Sequence, residues 1–98
     1  MPAYMLFIRE EPVFDQAAMD EYNQHAPAAV AGHDMKPISW GSAIQAVEGK
    51  APDDVVIVEF PSVEAAQNWY FSPTYQAARE YRLKGAAYRV MILDGFQP

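Results

Sequence analysis

The run Val55-Val56-Ile57-Val58 is apolar and β-branched at every position, and Asp53-Asp54 and Pro61 bound the segment that contains it. A run of this kind reads as a strand, here ending at Phe60. Its side chains alternate between the two faces of a sheet, so Val56 and Val58 point one way and Val55 and Ile57 the other. Two further segments behave alike. In Tyr4–Ile8, Met5 and Phe7 oppose Leu6 and Ile8, and in Tyr88–Asp94, Met91 and Leu93 oppose Val90 and Ile92. A sheet with one wet face alternates apolar with polar residues. A sheet built from these strands needs a cover on both faces.

Helices supply the first cover. Asp15 is placed to cap a helix whose Ala18, Met19, Tyr22, Ala26 and Val30 recur at three- and four-residue steps. Pro27 ends its regular part near His25. Ser62 caps a second helix with Val63, Ala66, Trp69 and Tyr70 on one face. Ser72-Pro73 starts a third helical segment, with a hydroxyl cap and proline at the first helical position, which runs to about Lys84 and stops at Gly85. Lys36–Gln45 is the remaining strand, with Ile38, Trp40, Ser42 and Ile44 on one side, and the turn-rich segment from Val47 to Asp53 joins it to Val55.

The order is strand, helix, strand, strand, helix, strand. In one domain of 98 residues it predicts an α+β ferredoxin-like βαββαβ sandwich, a four-stranded antiparallel sheet with the helices on one face. The other face is left bare. A second copy of the same sheet is the simplest cover, so the chain is expected to be a homodimer packed through its sheet faces. The alternative is that these residues form a tolerated apolar surface.

Composition narrows the partners. Seven Lys and Arg against 13 Asp and Glu give a net charge of -6, too acidic for a nucleic-acid partner that is held by phosphate neutralisation. The N-terminus lacks a basic leader and no segment is long enough to span a bilayer, so neither a signal peptide nor a membrane partner is expected and the cytoplasm is the default location. There is no cysteine, which removes thiol chemistry and leaves the redox compartment undetermined. No cofactor is expected, since no phosphate-binding glycine loop, nucleophile elbow or zinc-protease motif occurs.

The stretch Glu59-Phe60-Pro61-Ser62-Val63-Glu64-Ala65-Ala66-Gln67-Asn68-Trp69-Tyr70-Phe71-Ser72-Pro73-Thr74-Tyr75-Gln76, followed by Arg82, resembles domain-of-unknown-function family 1330. That family belongs to the dimeric α/β-barrel superfamily. Its pattern is an apolar strand ending in Glu-Phe-Pro, a Ser-capped helix with Trp-Tyr, a Ser-Pro-x-Tyr-Gln restart, and an Arg seven residues after the Tyr. Glu21-Tyr22 in the first helix and Gly95 after the last strand also match. The chain departs from the family at Gly32-His33-Asp34-Met35-Lys36, where members often carry a Gly-Gly-Arg-like strand entry. The resemblance implies a ferredoxin-like protomer, a dimer through the sheets, and no particular reaction. The superfamily includes cofactor-independent monooxygenases, haem-degrading enzymes and lactone isomerases, which are analogies of fold only.

Arg82 is the foremost site candidate, because Tyr75, Ala78 and Arg82 share a helix face and a guanidinium near apolar surroundings needs a partner. It could be a fork for a ligand carboxylate or enolate with the Tyr75 and Ser72 hydroxyls nearby, or the structural partner of a carboxylate such as Glu59, or a surface arginine whose stem alone is covered. Glu59, on the face of Val55 and Ile57, is the candidate base. Trp69, Tyr70 and Phe71, of which at most two can face one way on a helix, are candidates to line an aromatic pocket that Tyr22 could meet, against the alternative of plain core packing. The ligand-binding set is therefore Tyr22, Trp69, Ser72, Tyr75 and Arg82. Glu21 and His25 have a spacing that could bind a metal, with His33 and Asp34 as further ligands, but without a second histidine on that helix a solvated pair accounts for them and no metal is expected. The sequence supports a binding protein for a small aromatic or anionic metabolite, an oxygenase- or isomerase-like enzyme, or a non-catalytic module.

Overall fold

The computed structural model describes residues 1–96. Along the chain lie β1 (Ala3–Arg9), α1 (Gln16–His25), β2 (Lys36–Trp40), β3 (Asp54–Phe60), α2 (Val63–Tyr70), α3 (Pro73–Gly85) and β4 (Tyr88–Asp94), and a 3-10 helix, Ala26–Val30, continues α1. The strands pair antiparallel in the order β2-β3-β1-β4. This is the ferredoxin-like arrangement expected from the order of elements.

Local chemistry sets the helix boundaries. Asp15 Oδ1 accepts from the Ala18 N–H at 3.2 Å, and Ser62 Oγ from the Ala65 N–H at 3.0 Å. Ser72 Oγ accepts from the Tyr75 N–H at 3.3 Å and donates to the Trp69 carbonyl at 2.7 Å, so one hydroxyl closes α2 and opens α3. Each cap satisfies an N–H that a helix leaves free at its start.

Three details differ from the sequence reading. After Pro27 the backbone tightens into the 3-10 helix, and the side chain turned inward is Ala29, while Val30 is exposed. Three residues per turn instead of 3.6 account for that displacement of the stripe. The edge strand β2 is shorter than expected: it ends at Trp40, before Gly41 at φ +61°, and its register slips between Pro37 and Ser39. Ile38 is the extra residue of that bulge, and Ser42 and Ile44 lie beyond the strand. Gly85 is the last residue of α3, and its φ is not positive. Its requirement is space, since a Cβ there would meet Met19 Cγ at 2.7 Å and the Asp15 carbonyl oxygen at 3.0 Å. Its own carbonyl accepts from the Phe14 and Asp15 N–H groups at 3.0 and 3.2 Å, which ties the start of α1 to the end of α3.

The core lies between the helices and one sheet face. Met5 and Phe7 of β1, Val58 and Phe60 of β3, and Ala66, Trp69 and Tyr75 from the helices form one buried cluster. On the opposite face Leu6, Ile8, Val55, Ile57 and Met91 are only half-buried. The described chain is a slab 17 Å thick and 39 × 37 Å broad, room for one sheet and one helical layer. No helix is long and apolar enough to cross a membrane, among the described residues.

Candidate functional site

Alternation along the strands builds the floor of a cleft. Arg9 lies directly opposite Asp54 on β3 and Tyr88 on β4, so these three form a polar row across the helix-facing side of the sheet. The adjacent row is Trp40, Val56, Phe7 and Val90. Above these rows, between α1, α3 and the sheet, is a cleft of about 270 Å³ bordered by Arg9, Tyr22, Trp40, Asp54, Trp69, Arg82 and Tyr88, with Phe7, Met19, Val56 and Val58 among its apolar walls.

Arg82 is the unusual member. It is 3% exposed and the one charged residue in the buried core of the described chain. Its guanidinium carbon stands 5.7 Å from the centre of the Phe7 ring and 5.5 Å from that of Tyr88. Its Nε is buried without a hydrogen-bond partner, and the ion pairs among the described residues, Arg9–Asp53, His25–Glu21 and Arg89–Glu10, do not include it. A desolvated cation–π contact contributes about 2 kcal/mol, whereas taking an ion out of water costs several kcal/mol even after relaxation. The rings hold the guanidinium in place without replacing the anion it lacks. Two more donors of residues that border the cleft, Trp69 Nε1 and Arg9 Nε, are buried without an acceptor.

Hydroxyl groups are better provided for. The Tyr22 and Tyr75 hydroxyl oxygens are 2.9 Å apart, and Tyr88 donates to Asp54 Oδ2 at 3.2 Å. Tyr75 is fully buried under Trp69, with ring centres 4.1 Å apart. Burial holds the Tyr22 hydroxyl well above its ordinary pKa of 10.0; the neighbouring Tyr75 adds to the shift and the Arg82 charge opposes it. The Tyr88 pKa is raised as well, again chiefly by burial. Both phenols stay neutral at physiological pH.

The residues singled out in the sequence occupy three kinds of position. Tyr22, Trp69 and Arg82 border the cleft together, whereas Tyr75 supports Tyr22 from beneath and Ser72 spends its hydroxyl on the helix junction. Glu59 is on the other side of the sheet, with Val55 and Ile57 and opposite Lys36 of β2, so it is neither the partner of Arg82 nor a wall of the cleft. The side chains of Glu21 and His25 are about half exposed, with His25 Nε2 3.3 Å from Glu21 Oε2, and no group of three metal-ligating residues occurs among the described residues. Sequence reasoning missed Arg9, Asp54 and Tyr88. The same period-two alternation that put Phe7, Val56 and Val90 on the helix face puts these three there too, one step along each strand.

A family model, Domain of unknown function (DUF1330), matches residues 2–96. The chain belongs to this family. Among solved structures, the DUF1330 chain is similar to a protein of unknown function from Rhodopseudomonas palustris at 22% identity, over 99% of this chain and 84% of that one, with a TM-score of 0.70. It is similar to a dimeric ferredoxin-like protein of unknown function from Jannaschia sp. CCS1 at 17% identity, covering 97% and 100% of the two chains, with a TM-score of 0.63. It is also similar to SnoaB, a cofactor-independent oxygenase from Streptomyces nogalater, at 11% identity over 99% and 93%, with a TM-score of 0.58. At these identities the likeness is one of fold. No curated protein matches the DUF1330 chain.

Proposed function

We propose that this DUF1330 protein is a cytoplasmic homodimer, joined through the open faces of its sheets, that binds a small aromatic or anionic metabolite in the cleft between helices and sheet. The observation that carries the binding reading is Arg82, a buried guanidinium on the cleft wall with no described residue to neutralise it. A protein keeps such a group at a cost to its stability, and an anion entering the cleft removes that cost. Tyr22 and Trp69 border the same cleft.

The dimer reading draws on the bare sheet face. Leu6, Ile8, Val55, Ile57 and Met91 make a continuous apolar patch opposite the helices, of a kind that marks an interaction surface. The Jannaschia neighbour, described as dimeric, supports the same assembly.

Native mass spectrometry of the purified protein tests both parts. A dimer carrying additional mass is the expected result and identifies the compound class. A monomer would overturn the dimer reading, and a dimer that retains no added mass and takes up none from a metabolite mixture would overturn the binding reading.

An enzymatic reading has one observation in its favour: Asp54, a carboxylate, borders the cleft and is hydrogen-bonded to Tyr88. In an oxygenase- or isomerase-like reaction Asp54, rather than Glu59, would stand in for the base. Asp54→Asn abolishing turnover of a ligand identified by mass would support that role, and unchanged turnover would exclude it.

A further inference from the structure

We infer that the cleft selects a small planar carboxylate carrying a single negative charge, its head group against Arg82 and its flat body reaching toward Trp40. This rests on the binding reading above and narrows it by charge, by hydrogen-bond complementarity and by shape.

The charge follows from counting what is already answered. Two guanidinium groups border the cleft. Arg9 Nη1 donates to the Glu11 carbonyl at 2.7 Å and lies 3.4 Å from Asp53 Oδ2, while Asp54, the one carboxylate bordering the cleft among the described residues, is hydrogen-bonded to Tyr88. Arg82 has no such counterpart among the described residues. Counting the side chains that border the cleft, two guanidinium groups against the Asp54 carboxylate, one positive charge is left over. A monoanion balances it, a neutral ligand leaves it standing, and a dianion would bring in a second negative charge beside Asp54.

Complementarity fixes the head group. Arg82, the one buried cation on the wall among the described residues, carries hydrogen-bond donors only, and its Nε has no partner. The ligand must therefore supply acceptors. A carboxylate presents two oxygens in the plane that matches a guanidinium fork.

Shape describes the remainder. The cleft, at about 270 Å³, is at the small end of ligand sites, which start at roughly 300 Å³, so a one-ring body suits it. Phe7, Tyr88, Trp69 and Trp40 offer ring surfaces around it. Trp40, on the edge strand, is 64% exposed despite bordering the cleft, an indole face open to stacking by a flat partner.

Both tryptophans of the chain border the cleft, so intrinsic fluorescence reads occupancy directly, with thermal shift as a second readout. The probes are benzoate, its neutral analogue benzamide, the dianion terephthalate and the non-planar cyclohexanecarboxylate. Benzoate is expected to saturate the fluorescence change and raise Tm, with benzamide weaker by roughly tenfold to a hundredfold, the worth of a charge-assisted hydrogen bond, and with terephthalate and cyclohexanecarboxylate also weaker than benzoate. Arg82→Gln should bring benzoate down to the level of benzamide. Benzamide or terephthalate binding as well as benzoate to the unmodified protein would overturn the monoanion assignment while leaving the cleft as a binding site. Equal binding of cyclohexanecarboxylate would overturn planarity in the same way. If none of the four probes binds, the binding reading falls together with this inference. The comparison among probes uses the unmodified protein and holds whether or not the Arg82 variant folds.

Discussion

The hydroxyl oxygens of Tyr22 and Tyr75 meet at 2.9 Å across the α1–α3 interface, their rings edge to face at 6.2 Å. One of the two borders the cleft and the other is fully buried, so the contact joins the packing of the helices to the wall of the site. Its two single variants should be unequal. Tyr22→Phe leaves the Tyr75 hydroxyl buried and unpaired, at a cost of about 1–3 kcal/mol, whereas Tyr75→Phe leaves a hydroxyl that borders the cleft, at about 1 kcal/mol. Urea denaturation of both variants and of the double variant should show a double change costing less than the sum, by about 1 kcal/mol.

Alkaline pH should expose the burial of Tyr22. The Tyr22 pKa is raised in the folded protein, mainly by burial, above its ordinary value of 10.0. The native state then keeps a proton that the unfolded chain releases. This stabilisation is complete below pH 10 and declines above it, by at most about 1.4 kcal/mol per pH unit for one group. Denaturant midpoints measured as the pH rises past this point should fall, and Tyr22→Phe should flatten the decline.

Arg82→Met is expected to leave stability within about 1 kcal/mol of the unmodified protein or to raise it. It removes a buried charge that has no ionic partner and retains most of the apolar stem. A loss of several kcal/mol in chemical denaturation would instead make Arg82 a structural strut.

Gly85→Ala tests the close approach of α1 to α3. The added methyl would stand 2.7 Å from Met19 Cγ and 3.0 Å from the Asp15 carbonyl oxygen, and backbone yields less readily than a side chain. The expected cost is about 1–3 kcal/mol of folding stability, read as a lowered denaturation midpoint with little change in helical circular dichroism.

Ile57→Glu bears on the proposed dimer. Ile57 pairs with Leu6 in the middle of the uncovered sheet face and is half-buried in the single chain. A pair of carboxylates facing each other across a dimer interface is unfavourable, so native mass spectrometry should show monomer with secondary structure retained. A dimer that survives this change would place the contact elsewhere.

The amino-acid sequence by itself determined the elements and their order. Strand periodicity, the hydroxyl and carboxylate caps at Asp15, Ser62 and Ser72, and the prolines at 27 and 73 act within a few residues, and local chemistry of that kind is legible along a chain. The two apolar faces of β1, β3 and β4 were legible for the same reason, because alternation is a property of each strand taken alone. The tertiary structure decided what depends on pairing between distant segments. It set the bulge at Ile38 and the early end of β2, which follow from the β3 register, and it revealed that Gly85 is required for space beside Met19 rather than for its backbone angle. It also decided the membership of the cleft. Arg82 and Glu59 are both charged residues beside apolar ones in the sequence, yet they stand on opposite sides of the sheet, while Arg9, Asp54 and Tyr88 join Arg82 because antiparallel register brings three strand ends into one row. A partner for a buried charge is chosen by distance in space, and distances between remote segments exist only once the sheet has formed.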